Sequence, residues 1–309
     1  MPEYRQSCND CQEKRSSGLK KVLLGAGLAG AVLGLGSLAM AYFGTHPRRR
    51  PLRGTPEDEG LRFEDVEFTS SDGVRLSGWF IPCPGARSSI ILCHGFPNNR
   101  SEMLPWVRML RDVGTHLLLF DFRAMGLSDG RLSSIGYEEV NDLVGALDYL
   151  GNRSETDDLP IGVFGLSMGG AVALMTAARD KRISAVATHG AYATLDHAIR
   201  QRSRMMLGPF HRALSHPVKW WARRWSTVHP LEVSPLDAIR HITPRPVLIL
   251  HGGRDLIAHP EDARALYVAA RKPKRLVIKR RSWHVRIHPE EREGYEREIV
   301  GFFRGCLGP

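Results

Sequence analysis

Ile161-Gly162-Val163-Phe164-Gly165-Leu166-Ser167-Met168-Gly169 runs from a short apolar stretch into a serine with a glycine two places to either side, and residues 168–179 continue as an amphipathic helical pattern. A serine on a strand-to-helix hairpin needs those glycines, because the turn is tight and the neighbouring backbone leaves no room for side chains. The turn lifts the hydroxyl above the strand end. The new helix aims its N-terminal amides at the same point, where developing negative charge is stabilised. A glycine-rich helix start is the plain alternative, and the strand that precedes it argues for a candidate nucleophile at Ser167 instead.

Outward from this point, apolar runs alternate with helical patterns. The runs are 89–93, 116–120, 161–164, 183–188, 247–250 and 276–278; the helical patterns are 101–113, 136–150, 168–179, 261–271 and 290–303. A hairpin over 63–68 and 74–81 turns at Ser71-Asp72-Gly73. Short buried strands alternating with helices imply a mostly parallel sheet covered on both faces. From 191 to 245 the rhythm stops, and helix-like segments broken by proline predict an inserted cap.

A serine hydroxyl needs a general base, and the base needs an orienting acid. In this architecture the chain order is serine, acid, histidine. Asp255 follows the 247–250 run in His251-Gly252-Gly253-Arg254-Asp255, and His284 follows the next run in Arg281-Ser282-Trp283-His284. Both leave strand C-terminal ends, where parallel sheets gather their sites. His288 is the alternative base and Asp196 the alternative acid. At the end of the 89–93 run, His94-Gly95-Phe96-Pro97 brings the Phe96 amide toward the serine, where it pairs with the Met168 amide as a two-donor oxyanion hole. Losing one such donor costs about 3 kcal/mol of transition-state stabilisation. His94 itself is expected to pack and to hydrogen-bond.

These residues resemble the α/β-hydrolase superfamily, specifically its cap-bearing, membrane-anchored serine hydrolases of the serine aminopeptidase (S33) and lysophospholipase-like kind. The resemblance covers 61–309. It includes Asp121-Phe122-Arg123-Ala124-Met125-Gly126-Leu127-Ser128, similar to the family's D-x-R-G-x-G-x-S loop with Ala124 in place of a glycine. Met125 stands where many members carry histidine or tyrosine, and Trp283 where many carry a small residue. The resemblance implies the α/β-hydrolase fold, an eight-stranded sheet with an antiparallel second strand, and no bridge between Cys83 and Cys93. It also implies an acyl-enzyme route for a carboxylic ester, lipid, lysophospholipid or thioester, with aminopeptidase-type amide hydrolysis as the alternative. No cofactor and no metal is called for, since a Ser-His-Asp triad supplies both nucleophile and proton transfer. A catalytically idle, membrane-tethered binding module is the reading from another class; it predicts loss of nucleophile, base or acid, and all three are present.

The whole chain sets the frame for that site. Its 309 residues are 42% hydrophobic and 25% charged, which excludes wholesale disorder and a many-span membrane protein. Five cysteines, an odd number, argue against a disulfide scaffold. Residues 22–43 carry no charge over a length of roughly 30 Å, the thickness of a bilayer core. Lys14, Arg15, Lys20 and Lys21 precede them, and Arg48, Arg49, Arg50 and Arg53 follow. The sequence therefore divides into a tail (1–21), a single-pass anchor (22–43), an extended tether (44–60) and the hydrolase-like domain (61–309). A signal peptide cleaved at Ala39-Met40-Ala41 competes, but its apolar stretch should span only about 7 to 15 residues. Basic residues balance on the two flanks, so the side of the membrane stays open. Ala26, Gly30 and Gly34 form a small-residue face able to pair two anchors into a homodimer, though simple glycine abundance explains them too. Cys8-Asn9-Asp10-Cys11 is half a zinc pattern with no second half.

Lysine and arginine exceed aspartate and glutamate by 43 to 33, which points to anionic partners. No nucleic-acid motif accompanies the excess, and the Arg271 to Arg281 cluster flanks a strand, where a solvated or membrane-facing surface suffices. In 191–245, Arg200, Arg202, Arg204, Arg212, Lys219, Arg223, Arg224, Arg240 and Arg245 stand against only Asp196, Glu232 and Asp237. Met205, Met206, Leu207, Trp220, Trp221 and Trp225 interleave with them. The combination offers apolar surface for an acyl chain and cations for phosphate or carboxylate.

Overall fold

The computed structural model describes residues 3–111, 113–208, 211–225 and 230–308. The side chains of 3–19, Val22, Ala29, Arg111, Met206, Leu207, 212–215 and Trp225 lie outside the described residues, and with them the Cys8/Cys11 pattern. The strands are β1 (Glu64–Thr69), β2 (Arg75–Ile81), β3 (Ser89–Cys93), β4 (His116–Phe120), β5 (Ile161–Leu166), β6 (Ile183–His189), β7 (Val247–Gly252) and β8 (Lys274–Lys279). They form one eight-stranded sheet in the order β1-β2-β4-β3-β5-β6-β7-β8. Only β2 runs against its neighbours; every other adjacent pair is parallel. β3 and β4 are buried at every position, which is why they read as unbroken apolar runs. The chain goes from β3 to β4 on one side and then returns to β5 on the other. A crevice opens at that switch, above the strand C-termini.

The helices are α1 (Glu3–Thr45), α2 (Leu104–Arg111), α3 (Glu139–Gly151), α4 (Met168–Arg179), α5 (Leu195–Leu207), α6 (His211–Trp225), α7 (Pro235–Ala238), α8 (Pro260–Ala269) and α9 (Pro289–Leu307). Two apolar layers flank the sheet. One joins Leu143 and Leu147 of α3, Val172 of α4 and Leu266 of α8; the other joins Trp106 and Leu110 of α2 with Tyr295 and Phe303 of α9. Between β6 and β7 the described residues hold α5, α6, α7 and a short 3-10 turn (Ile239–His241), and no strand. Thr194 caps α5 by accepting from the His197 amide, and Ser234 caps α7. Cys83, Cys93 and Cys306 are free thiols.

Helix α1 contains, from Leu23 to Thr45, a run long and apolar enough to cross a membrane. Leu23, Leu24, Leu28, Val32 and Leu35 are exposed, whereas Ser37, Ala41 and Thr45, spaced four apart, are buried; α1 also packs along α6. The segment that follows is a strap bound along the domain, not a loose tether. Arg49 donates to the main-chain carbonyls of Gly126 (2.9 Å), Ser128 (2.5 Å) and Gly130 (3.0 Å). The Asn99 amide donates to Arg50 O, Leu52 packs against the α2/α9 layer, and residues 56–59 form a 3-10 turn. The low apolar content of 44–60 concealed this, because apart from Leu52 the strap is held by polar contacts, the Arg49 and Arg50 guanidiniums and the Asn99 amide among them, rather than by a hydrophobic face.

Candidate active site

Ser167 lies between β5 and α4 with φ 50° and ψ −114°, a conformation that side chains seldom adopt. The flanking glycines make it attainable: a methyl on Gly165 would overlap the Gly169 main chain, and one on Gly169 would overlap the Cys93 carbonyl. The Ser167 amide donates to His189 O at 2.8 Å, tying the turn to the neighbouring strand.

The structure brings Ser167, His284 and Asp255 together. Ser167 Oγ lies 2.9 Å from His284 Nε2, and His284 Nδ1 lies 2.7 Å from Asp255 Oδ2. A carboxylate only accepts, so Nδ1 carries the proton and Nε2 is free to accept the serine hydroxyl hydrogen. Asp255 Oδ1 accepts from the Ile257 and Ala258 amides at 2.8 and 2.9 Å. Burial pushes the Asp255 carboxyl up, but hydrogen bonds from His251 and His284 outweigh it and hold the group well below the usual carboxylate range. It is therefore ionised at neutral pH and can stabilise an imidazolium beside it.

Several residues that the sequence reading did not single out complete this arrangement. His251, at the end of β7, places Nε2 3.2 Å from Asp255 Oδ2 and 2.8 Å from Ala258 O. Gly190 has φ +66°, and a side chain there would stand 3.3 Å from the His284 ring. The loop that carries His284 is fixed by Ser282, which donates to Glu291 of α9 at 2.6 Å and accepts from the His288 amide at 3.0 Å. His189 lies against Tyr295 with the rings tilted at 51°, and burial, with His251 and His284 nearby, lowers its pKa to about 3, so it stays neutral.

On the other side of the serine, a Cβ on Gly95 would lie 3.3 Å from the Ser167 Cβ, so the loop carrying Phe96 rests directly against the hydroxyl-bearing turn. Glu102 fixes that loop by accepting from the Gly95 amide at 2.7 Å and from the Asn98 side chain. Met168 opens α4, where an amide has no acceptor within its own helix. His94 is buried; its Nε2 accepts from the Phe122 amide at 3.0 Å, which leaves Nδ1–H to donate to Gly95 O at 2.9 Å. The two alternatives are engaged elsewhere. His288 caps α9, and Asp196 is paired with Arg200 and Lys219. Among the described residues no group of three His, Cys, Asp or Glu side chains is placed to hold a metal ion.

An imidazole aligned between a buried carboxylate and a hydroxyl on a strained turn can take a proton from that hydroxyl and return it. Residues 89–212 match the family model described as alpha/beta hydrolase fold. The chain is 30% identical over 258 residues to the uncharacterized protein YfhR of Escherichia coli, covering 80% of this chain and 82% of that one. It is 32% identical over 234 residues to the alpha/beta hydrolase domain-containing protein WAV2 of Arabidopsis thaliana, covering 71% of each. The chain belongs to the α/β hydrolase family. Among solved structures, this α/β hydrolase is similar to the Pyrococcus furiosus esterase Pf2001, with a TM-score of 0.72 and 25% identity over 85% of this chain and 98% of the esterase.

Proposed function

We propose that this α/β hydrolase is a membrane-anchored serine esterase that cleaves an acyl ester, of lipid or lysophospholipid type, through an acyl-enzyme. The hydrogen-bonded chain from Asp255 through His284 to Ser167, at 2.7 and 2.9 Å, carries the reading. His284 Nε2 takes the Ser167 proton as Oγ attacks the carbonyl carbon, and the carbonyl oxygen becomes an oxyanion held by the Phe96 and Met168 amides. Collapse expels the alkoxide, which receives the proton from His284. Water then attacks the acyl-serine with its proton passing to the same nitrogen, and collapse breaks the bond to Ser167 Oγ, which regains the proton from His284 as the acid departs. Asp255 remains ionised throughout and holds the Nδ1–H tautomer. The acylating nucleophile and every proton-transfer role come from this chain, water supplies the second nucleophile, and a thioester would follow the same steps with a thiolate leaving.

The packing of α1 along α6 and the burial of Ser37 and Ala41 support 22–43 as an uncleaved anchor, since removal at Ala41 would strip away most of a helix that the cap contacts. An aminopeptidase needs a free carboxylate for the substrate's ammonium group. In the cap, Asp196 is already paired with two cations, which favours the ester reading. A fluorophosphonate probe tests the assignment: it should label the wild-type protein and not Ser167→Ala. Labelling that survives the substitution overturns it, and labelling of neither protein supports the idle binding module.

A further inference from the structure

The strap that leaves the apolar helix does not lead away from the site; it lies on the loops around it. Thr45, the last residue of α1, accepts through its carbonyl from the Ser133 amide at 2.8 Å. Four residues later Arg49 grips the carbonyls of 126–130, and Arg50 bonds Asn98 in the loop that bears Phe96. Both loops leave strand C-termini, the edge that carries Ser167. With so few residues between helix and grip, the domain has no slack to swing that edge away from a membrane crossed by α1.

The run of α1 that is long and apolar enough to cross a membrane, Leu23 to Thr45, includes Ser37, Ala41 and Thr45, which are buried, so the folded domain begins within the length of the spanning segment. A domain joined in this way abuts the membrane surface. The outer face of α6 has the matching chemistry. His216, Trp220, Arg223 and Arg224 recur at i, i+4, i+7 and i+8 and are exposed, a tryptophan among cations as in the headgroup layer. On the site edge itself, Leu127, Leu256, Ile257 and Trp283 are exposed apolar residues in the loops after β4, β7 and β8.

We infer that the exposed face of α6 meets the headgroup layer beside the anchor, so that the mouth of the Ser167 site faces an anionic lipid surface and takes its substrate from the bilayer side. The inference rests on the anchor reading given above, and two measurements separate the two. The full-length protein is reconstituted in phosphatidylcholine and phosphatidylglycerol vesicles and washed in alkaline carbonate. Its tryptophan fluorescence is then recorded with acyl chains brominated near the headgroup. The expected result is a protein that resists extraction and is quenched, with Trp220→Phe and Trp283→Phe each removing part of the quenched emission. A protein that resists extraction but whose quenching is unchanged in both variants keeps its anchor and overturns the contact of α6 and the site edge with the leaflet. Release by carbonate overturns both. Because both tryptophans are exposed, so that the smaller phenyl ring leaves the core untouched, and because the readout needs no activity, neither result depends on the identity of the ester.

Discussion

Ala124 occupies φ +63° in the loop after β4, where the left-handed conformation costs a residue with a side chain roughly 1–2 kcal/mol. Glycine avoids that strain but gives up about 0.5–1 kcal/mol in chain entropy. Ala124→Gly should therefore stabilise the protein by about 0.5–1 kcal/mol, read as a higher urea midpoint at unchanged slope; a lower midpoint would show that the methyl packs usefully. The loop's departure from the D-x-R-G-x-G-x-S pattern was open to inspection in the sequence, as were Ser167, Asp255 and His284, because each sits at a fixed offset from a strand end. His251, Gly190 and Glu102 were not. Gly190 leaves room for His284, which lies far off in the chain, while His251 touches Asp255 and Glu102 holds the loop at Gly95 from a few residues away, through loop conformations that no hydrophobic period records.

The β1–β2 turn shows how elements fasten to one another. Asp72 in that turn pairs with Arg123, which follows β4, at 2.6 Å, and accepts from Asn141 of α3. The Arg123 hydrogen bond outweighs partial burial and lowers the Asp72 pKa from 3.8 to about 2. A depressed carboxyl contributes stability that is present above its unfolded value and is lost as pH falls through the folded one. The Asp72 contribution should therefore fade between pH 3.8 and about 2. Asp72→Asn should be less stable than wild type at pH 7, with the difference closing across that window, as urea titrations at stepped pH would show. A gap that stays constant down to pH 2 would remove the ion pair from the account. Strands β3, β4 and helix α4 could be read to the residue, since burial on both faces and glycine punctuation leave unambiguous patterns. The strap could not, because its fastening is polar and nonlocal. A protein beginning at Pro47 should consequently be more stable than one beginning at Leu61 by about 2 kcal/mol, the scale of hydrogen bonds from a charged group. Both should fold, because every buried member of the two apolar layers lies at Leu61 or beyond. Equal urea midpoints for the two would show the Arg49 contacts to be idle.

Across the whole molecule, the positive excess acquires a direction once the cap's cations are sorted by what they touch. Arg200 and Lys219 are paired with Asp196, and Arg245 is spent on the carbonyls of Ala177, Asp180 and Ile183. Arg202, Arg204, Arg223, Arg224 and Arg240 are exposed, and of these Arg223 and Arg224 share the outer face of α6 with Trp220. Near an anionic leaflet each such cation contributes about 1 kcal/mol of attraction. Two or three acting together are enough to rank substrates by charge. Matched anionic, neutral and cationic esters should accordingly give kcat/KM values in that order. The spread should narrow as salt rises, because exposed charges are screened beyond about 8–10 Å at physiological ionic strength. A contribution from apolar contact alone would leave the order insensitive to salt, since burial of an acyl chain involves no net charge. A cationic or free-amine substrate coming out best would instead require a carboxylate able to hold an ammonium group, and would restore the aminopeptidase alternative.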